Sequence, residues 1–222
     1  MKRKLSLLLA VVMILGSFSF AFAAEDVDAA DFLEEKGVLK GDTSGDLMLD
    51  KALERRDAVV MLARLLGEES EAKAFEEEGL PTFTDNNDAY YEGFLAWAEA
   101  NEYFEGYEDG TFRPRNEITV QEYAIVLLRA LGYGETEWNG VMAKAKDLGL
   151  FADLDLEAGA AVLRGEMAEM TFAALGTKMK DSDETLADKL GIALPEAGEL
   201  KVEEVKTENL KEIVVKLNNA KL

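Results

Sequence analysis

Leu53-Glu54-Arg55-Arg56-Asp57, Ile118-Thr119-Val120-Gln121-Glu122 and Val162-Leu163-Arg164-Gly165-Glu166 are three versions of one helix start. Each runs from an apolar residue through a short entry to an acid. Each then leads into an amphipathic stretch that stops at a glycine: Gly67, Gly132 and Gly176. The acid-to-glycine interval is 10 residues every time (57 to 67, 122 to 132, 166 to 176). An interval repeated three times marks an internal triplicate, whose copies bury their apolar faces against one another and bind ligands with the surfaces between them.

The starts carry capping chemistry. Thr119 and Glu122 match the T-x-x-E box, in which each side chain satisfies an orphan backbone donor, and Ile118 and Tyr123 sit where a hydrophobic staple would be. Copies one and three keep the acid (Asp57, Glu166) but have Glu54 and Leu163 in place of the threonine, so their caps should be weaker by about 1 kcal/mol each. The three glycines fit C′ positions that need a left-handed backbone. Leu62, Leu65 and Leu66, then Leu127, Leu128 and Leu131, then Met170 and Leu175 are expected in the core.

Upstream of each start lies a first helix and a loop. Copy one gives Ala29 to Glu35, then Lys36-Gly37-Val38-Leu39-Lys40-Gly41. Copy two gives Tyr90 to Asn101, then Tyr103-Phe104-Glu105-Gly106 and Asp109-Gly110-Thr111-Phe112-Arg113-Pro114. Copy three gives Val141 to Leu148, then Gly149-Leu150-Phe151. Gly41 to Arg55 and Gly106 to Val120 both span 14 residues, whereas the third loop is shorter. The fold class is therefore mainly α: three helix-loop-helix repeats with short extended segments, at 24–69, 80–134 and 135–180. Phe94, Trp97 and Trp138 are expected in the core.

The flanks differ in texture. Residues 1–23 read as a signal peptide, with a Lys2-Arg3-Lys4 basic start, an apolar run to Phe22 and the small-x-small ending Ala21-Phe22-Ala23. Residues 181–198 read as a linker with a helix opened by Ser182, Asp183 and Glu184 and ended before Gly191. From 199 to 222 the pattern is β-like, and two strands flank Thr207-Glu208-Asn209. A lone hairpin is marginal in water. The expectation is that this one opens a β-sandwich and that the chain is the front of a longer protein.

Loss of residues 1–23 removes three bases and no acid, leaving 21 basic against 45 acidic residues, a net charge of −24. That field repels nucleic acid and anionic lipid, and an anionic polysaccharide would need a local basic pocket. Neither a nucleic-acid partner nor a membrane partner after signal cleavage is expected. Cysteine and histidine are absent. Disulfide staples, Ser-His and Cys-His catalysis and His-ligated zinc go with them.

The ordered motifs resemble the surface-layer homology (SLH) family, whose repeat is similar to F-x-D, W-A, a helix, G-I-I-x-G, D-G-T-F-x-P and I-T-R-A-E. Copy two supplies Phe83-Thr84-Asp85, Tyr90-Tyr91, Glu102-Tyr103-Phe104-Glu105-Gly106, Asp109 to Pro114 and Ile118 to Glu122. Copy one supplies Gly37 to Gly41 and Arg55-Arg56-Asp57; copy three supplies Gly149-Leu150-Phe151 and Arg164 to Ala168. The likeness covers residues 25 to 180. It implies a pseudo-threefold spindle whose inter-copy grooves bind a pyruvylated secondary cell-wall polysaccharide attached to peptidoglycan. It thereby implies a secreted anchor of the cell wall or S-layer, with self-association in a surface lattice as a further expected interaction.

Carried over position by position, the resemblance implies that Arg55 and Arg164 meet the ketal carboxylate, a role that guanidinium geometry suits. Val120 replaces the arginine in copy two. Gly41 and Gly106 match loop glycines where backbone approaches a sugar, and Asp153 stands there in copy three. Tyr90 stands where the family has Trp. Lys40, Asp57 and Glu166 complete the expected binding set, with capping the favoured role for both acids. No catalytic residue, metal ligand or cofactor is expected, and the chain is read as not an enzyme. Two alternatives stay open: a calcium-dependent dockerin-like module at Gly41 to Asp46, and the anchor region of a surface glycoside hydrolase. The dockerin reading is weakened by Leu47 and Leu53 at the loop's sixth and twelfth positions, where Gly and a carboxylate belong.

Overall fold

A computed structural model describes residues 28–76 and 83–195, and the backbone alone of 202–209 and 212–217. The expected signal peptide lies outside the described residues. Among the described residues no helix is long and apolar enough to cross a membrane.

Residues 28–195 are mainly helical. The elements are α1 (Ala29–Glu35), α2 (Arg55–Leu65), α3 (Glu69–Lys73), α4 (Ala89–Ala100), α5 (Val120–Ala130), a 3-10 turn (Trp138–Gly140), α6 (Val141–Asp147), α7 (Arg164–Leu175) and α8 (Leu186–Leu190). The second helix of each copy starts two residues before its acid, because that acid occupies N3 of the helix. In α5 the full box forms: Thr119 Oγ1 accepts from the Glu122 amide at 3.2 Å, and Glu122 accepts from the Thr119 amide at 2.8 Å. In α7 only the return half exists, Glu166 accepting from the Leu163 amide at 2.8 Å. In α2 neither half exists, and Glu54 makes no cap bond. Short α3 has no counterpart in the sequence reading. Gly93 lets α4 seat against it, since a Cβ there would lie 2.4 Å from the Lys73 carbonyl oxygen.

Gly67 and Gly132 adopt the expected left-handed conformation, with φ of 76° and 90°. Gly176 does not. Its φ is −78°, and it forms the C-cap of α7 itself. The chain leaves that helix through Thr177, whose hydroxyl donates to the Ala173 carbonyl at 2.9 Å.

The copies join in a ring. The Leu53 amide donates to the Val162 carbonyl, Val162 to Ile118, and Ile118 back to Leu53, at 2.9–3.0 Å. Two residues on, Arg55 donates to Asn116, Val120 to Ala160 and Arg164 to Lys51, all at 2.9 Å. Helix packing follows the same cycle. The first helix of copy two (α4) packs on the second helix of copy one (α2), α6 on α5, and α1 on α7. Each packing unit therefore spans the boundary between sequence copies. The core is continuous, with Leu33, Phe94, Trp97, Phe112, Ile118, Leu127, Leu128 and Leu150 fully buried. A buried Tyr123 hydroxyl lies 2.6 Å from Thr171 Oγ1, tying α5 to α7, and burial pushes its phenol up to about 12.

The segment read as a linker packs Leu186 and Ala187 into this core through α8, which starts at the Thr185 cap rather than at Ser182. Separately, β1 (Val202–Asn209) and β2 (Glu212–Leu217) pair antiparallel.

Candidate functional site

The motif arginines sit where one copy's helix start meets the next copy's loop. Arg55 is 4% exposed. Its Nε donates to the Phe112 carbonyl at 3.0 Å, Nη2 to the Glu105 carbonyl at 3.3 Å, and Nη1 to Glu122 at 2.8 Å. Its guanidinium also lies 5.0 Å from the Tyr107 ring centre and 4.8 Å from that of Phe112. Arg164 is 6% exposed and repeats the first two bonds on copy one. Its Nε donates to the Leu47 carbonyl and Nη2 to the Lys40 carbonyl, both at 2.8 Å.

The third bond differs. Asp57 is one methylene shorter than Glu122, and it accepts from the Tyr91 hydroxyl at 2.8 Å. Among the described residues Arg164 Nη1 has no hydrogen-bond partner and Arg164 no ion pair. Burial pulls the Arg164 guanidinium below its ordinary value, while Asp57 raises it and Arg64 lowers it further. Arginine stays charged through shifts of this kind.

The surroundings differ in charge. Beside Arg164, Lys40 and Arg64 both bond Glu69, at 3.3 Å and 2.8 Å. Beside Arg55 the residue equivalent to Lys40 is Glu105, which pairs with Arg129. A groove of about 560 Å³ runs from Arg55 past Glu105, Glu122 and Arg129 to Glu135, Glu137 and Trp138.

The remaining predicted residues fall as follows. Gly41 and Gly106 border the two arginine sites, but their missing Cβ atoms would point into packed protein, at Gly41 into its own loop and at Gly106 against the Phe83 ring. A Cβ on Gly41 would lie 2.8 Å from the Gly45 backbone, and one on Gly106 2.4 Å from Phe83 Cε1. Loop packing therefore requires both glycines. Lys40 is exposed at the Arg164 site. Asp57 holds Tyr91 rather than capping α2, a correction to the sequence reading, whereas Glu166 caps α7. Tyr90 is 42% exposed on α4, with its ring centre 5.0 Å from that of Tyr91 and 5.6 Å from that of Phe94. Asp153, in place of the third loop glycine, is exposed, and Val120 is wholly buried.

Phe94 and Trp97 are core residues as expected. Trp138 is not: it is 55% exposed at the start of the 3-10 turn. Sequence reasoning missed it because a lone Trp beside Gly134 and Gly140 has no periodic apolar neighbours to assign it a face. The Gly41 to Asp46 loop is closed on itself. Asp42 Oδ1 accepts from the Ser44 amide and hydroxyl and from the Asp46 amide, which holds the exposed Asp42 carboxyl below the usual carboxylate range. Among the described residues no group of three or more carboxylates could hold a metal ion.

Comparison with known proteins agrees with the motifs. The family model of the S-layer homology domain matches residues 83–124. The chain is 28% identical over 201 residues to the middle cell wall protein of Brevibacillus brevis, covering 83% of this chain and 19% of that protein. It is 30% identical over 166 residues to the surface layer protein of Brevibacillus choshinensis, covering 68% of this chain and 15% of that protein. Over 123 residues it is 31% identical to the S-layer protein sap of Bacillus anthracis, covering 55% and 14%. The chain thus spans under a fifth of the length of these relatives. It carries an S-layer homology domain, and the similarities indicate a secreted protein of the cell wall or S-layer.

Proposed function

We propose that this chain of the S-layer homology family anchors a secreted surface protein non-covalently to the bacterial cell wall, as the region that grips a pyruvylated secondary cell-wall polysaccharide between its repeats. We read the three copies as one pseudo-threefold spindle, on the strength of the cyclic hydrogen bonds and helix packing. The observation that carries the binding proposal is the Arg164 guanidinium. Two of its nitrogens grip loop carbonyls, and the third has no partner among the described residues, with Lys40 and Arg64 beside it. A ketal carboxylate arriving there would receive a charge-assisted hydrogen bond from a guanidinium that is largely buried yet still open to solvent at that nitrogen. Self-association in a surface lattice follows from the same reading, as does a role without catalysis in this region.

The test is cosedimentation of the chain with cell-wall sacculi before and after the secondary polymer is stripped. Binding should disappear on stripping; equal binding to stripped walls would sink the proposal.

A further inference from the structure

We infer that the groove between Arg55 and Trp138 takes an uncharged pyranose unit of the wall polymer, stacked on the Trp138 indole, and does not serve as a second site for the polymer's acidic group. The inference rests on the proposed wall-binding role and assigns this groove its own ligand class.

Room comes first. At about 560 Å³ the groove lies within the range of roughly 300–1,000 Å³ usual for small-molecule sites. Its floor at Gly134 is open, since a Cβ there would meet nothing closer than Arg129 Cγ at 3.8 Å.

Charge decides against an anion. The two guanidiniums in the groove, Arg55 and Arg129, are each taken by a carboxylate, Glu122 and Glu105. Glu122 Oε1 also accepts from the Tyr107 hydroxyl at 3.0 Å. Glu135 and Glu137 lie on the same wall, and Lys180 pairs with Glu135. An acidic sugar would have to displace a glutamate from its arginine, exchanging one carboxylate for another and leaving the displaced one nearby. Such a groove discriminates against anions by like-charge repulsion.

The platform completes the assignment. Trp138 is held at its carbonyl by Gln121 Nε2 at 2.6 Å, and Thr136 Oγ1 donates to the Tyr133 carbonyl at 2.8 Å, so the segment leading into the turn that presents the indole is tied to α5 and closed on itself. An exposed indole offers a large apolar face with only two side-chain torsions to order, suited to the C–H face of a sugar ring. The surrounding carboxylate oxygens and the Thr136 hydroxyl are acceptors for ring hydroxyls.

Tryptophan emission reads this site directly. The other indole, Trp97, is buried and donates to Glu68 at 3.0 Å, leaving Trp138 as the exposed reporter of the chain's two tryptophans. The chain is titrated with cell-wall polymer, and with the same polymer after acid removal of its ketals. Both should shift the emission, and in Arg164→Ala, where the ketal contact is already gone, they should do so with equal Kd. Trp138→Ala should abolish the shift and weaken sedimentation with walls about tenfold, and Trp138→Phe should restore most of the sedimentation. A shift that vanishes with the ketals, or wild-type sedimentation of Trp138→Ala, overturns this inference and leaves the wall-binding proposal standing. Failure of both polymers to bind the chain at all overturns the proposal and the inference together.

Discussion

The Arg55 and Arg164 sites are built from equivalent residues and end in opposite electrostatic states. Both arginines grip the two carbonyls of the next copy's loop with Nε and Nη2. Two substitutions then separate them. Glu122 in copy two reaches Arg55, whereas Asp57 in copy one is a methylene short and holds Tyr91 instead. Glu105 stands beside one site where Lys40 stands beside the other. The comparison teaches that a motif arginine is first a clamp between copies. On the proposed reading it serves as a ligand group only where no carboxylate of the protein completes its coordination.

The comparison breaks if the two arginines respond alike to truncation. Arg164→Ala should weaken sedimentation with intact walls about a hundredfold, as loss of a desolvated charge-assisted contact does. Arg55→Ala should instead lower stability by about 2–3 kcal/mol in urea denaturation, because two loop carbonyls lose a donor and Glu122 its counter-charge. Its effect on ketal recognition should be small. Arg55→Ala matching Arg164→Ala in both assays would erase the distinction.

Lys40→Glu copies the charge of the Arg55 site onto the Arg164 site. Wall binding should fall about tenfold at low salt, with the deficit narrowing as ionic strength rises. A deficit independent of salt would point to a packing role for Lys40.

The smallest expected effect tests the caps. Thr119→Ala should cost about 1 kcal/mol, since among the second helices of the three copies α5 alone has the complete box. Glu54→Ala, at the equivalent position of α2, should cost less, having no cap bond to lose. Equal losses, measured by thermal denaturation, would show that the cap hydrogen bonds do not set the difference between copies.

Much of the fold was legible because it rests on local rules. The acid-to-glycine interval and the apolar periodicity located the second helices, and the T-x-x-E match placed Glu122 at N3, where it lies. Gly67 and Gly132 follow the αL rule, and Gly176 escapes it because Thr177 turns its hydroxyl back on the helix. At the candidate site the sequence named residues and not the partners that set their state. Whether Arg55 meets Glu122 depends on a partner 67 residues away, and whether Lys40 lies beside Arg164 on one 124 residues away. No spacing within a single copy encodes either. Trp138 was misread for a related reason: exposure of one residue in a short turn has no periodic signature.

The ring formed by Leu53, Ile118 and Val162 has a consequence for how such an anchor fails. In an open row of repeats the end unit has one neighbour, so it can peel away while the rest holds. Here every copy donates to and accepts from both neighbours through two tiers of backbone bonds, and the first helix of copy one is shelved on the last helix of copy three. Detaching any copy breaks two joints at once and leaves no smaller closed ring behind. Under tension from an attached load the three copies should therefore give way in a single event, a useful property for a part that must stay intact until it lets go.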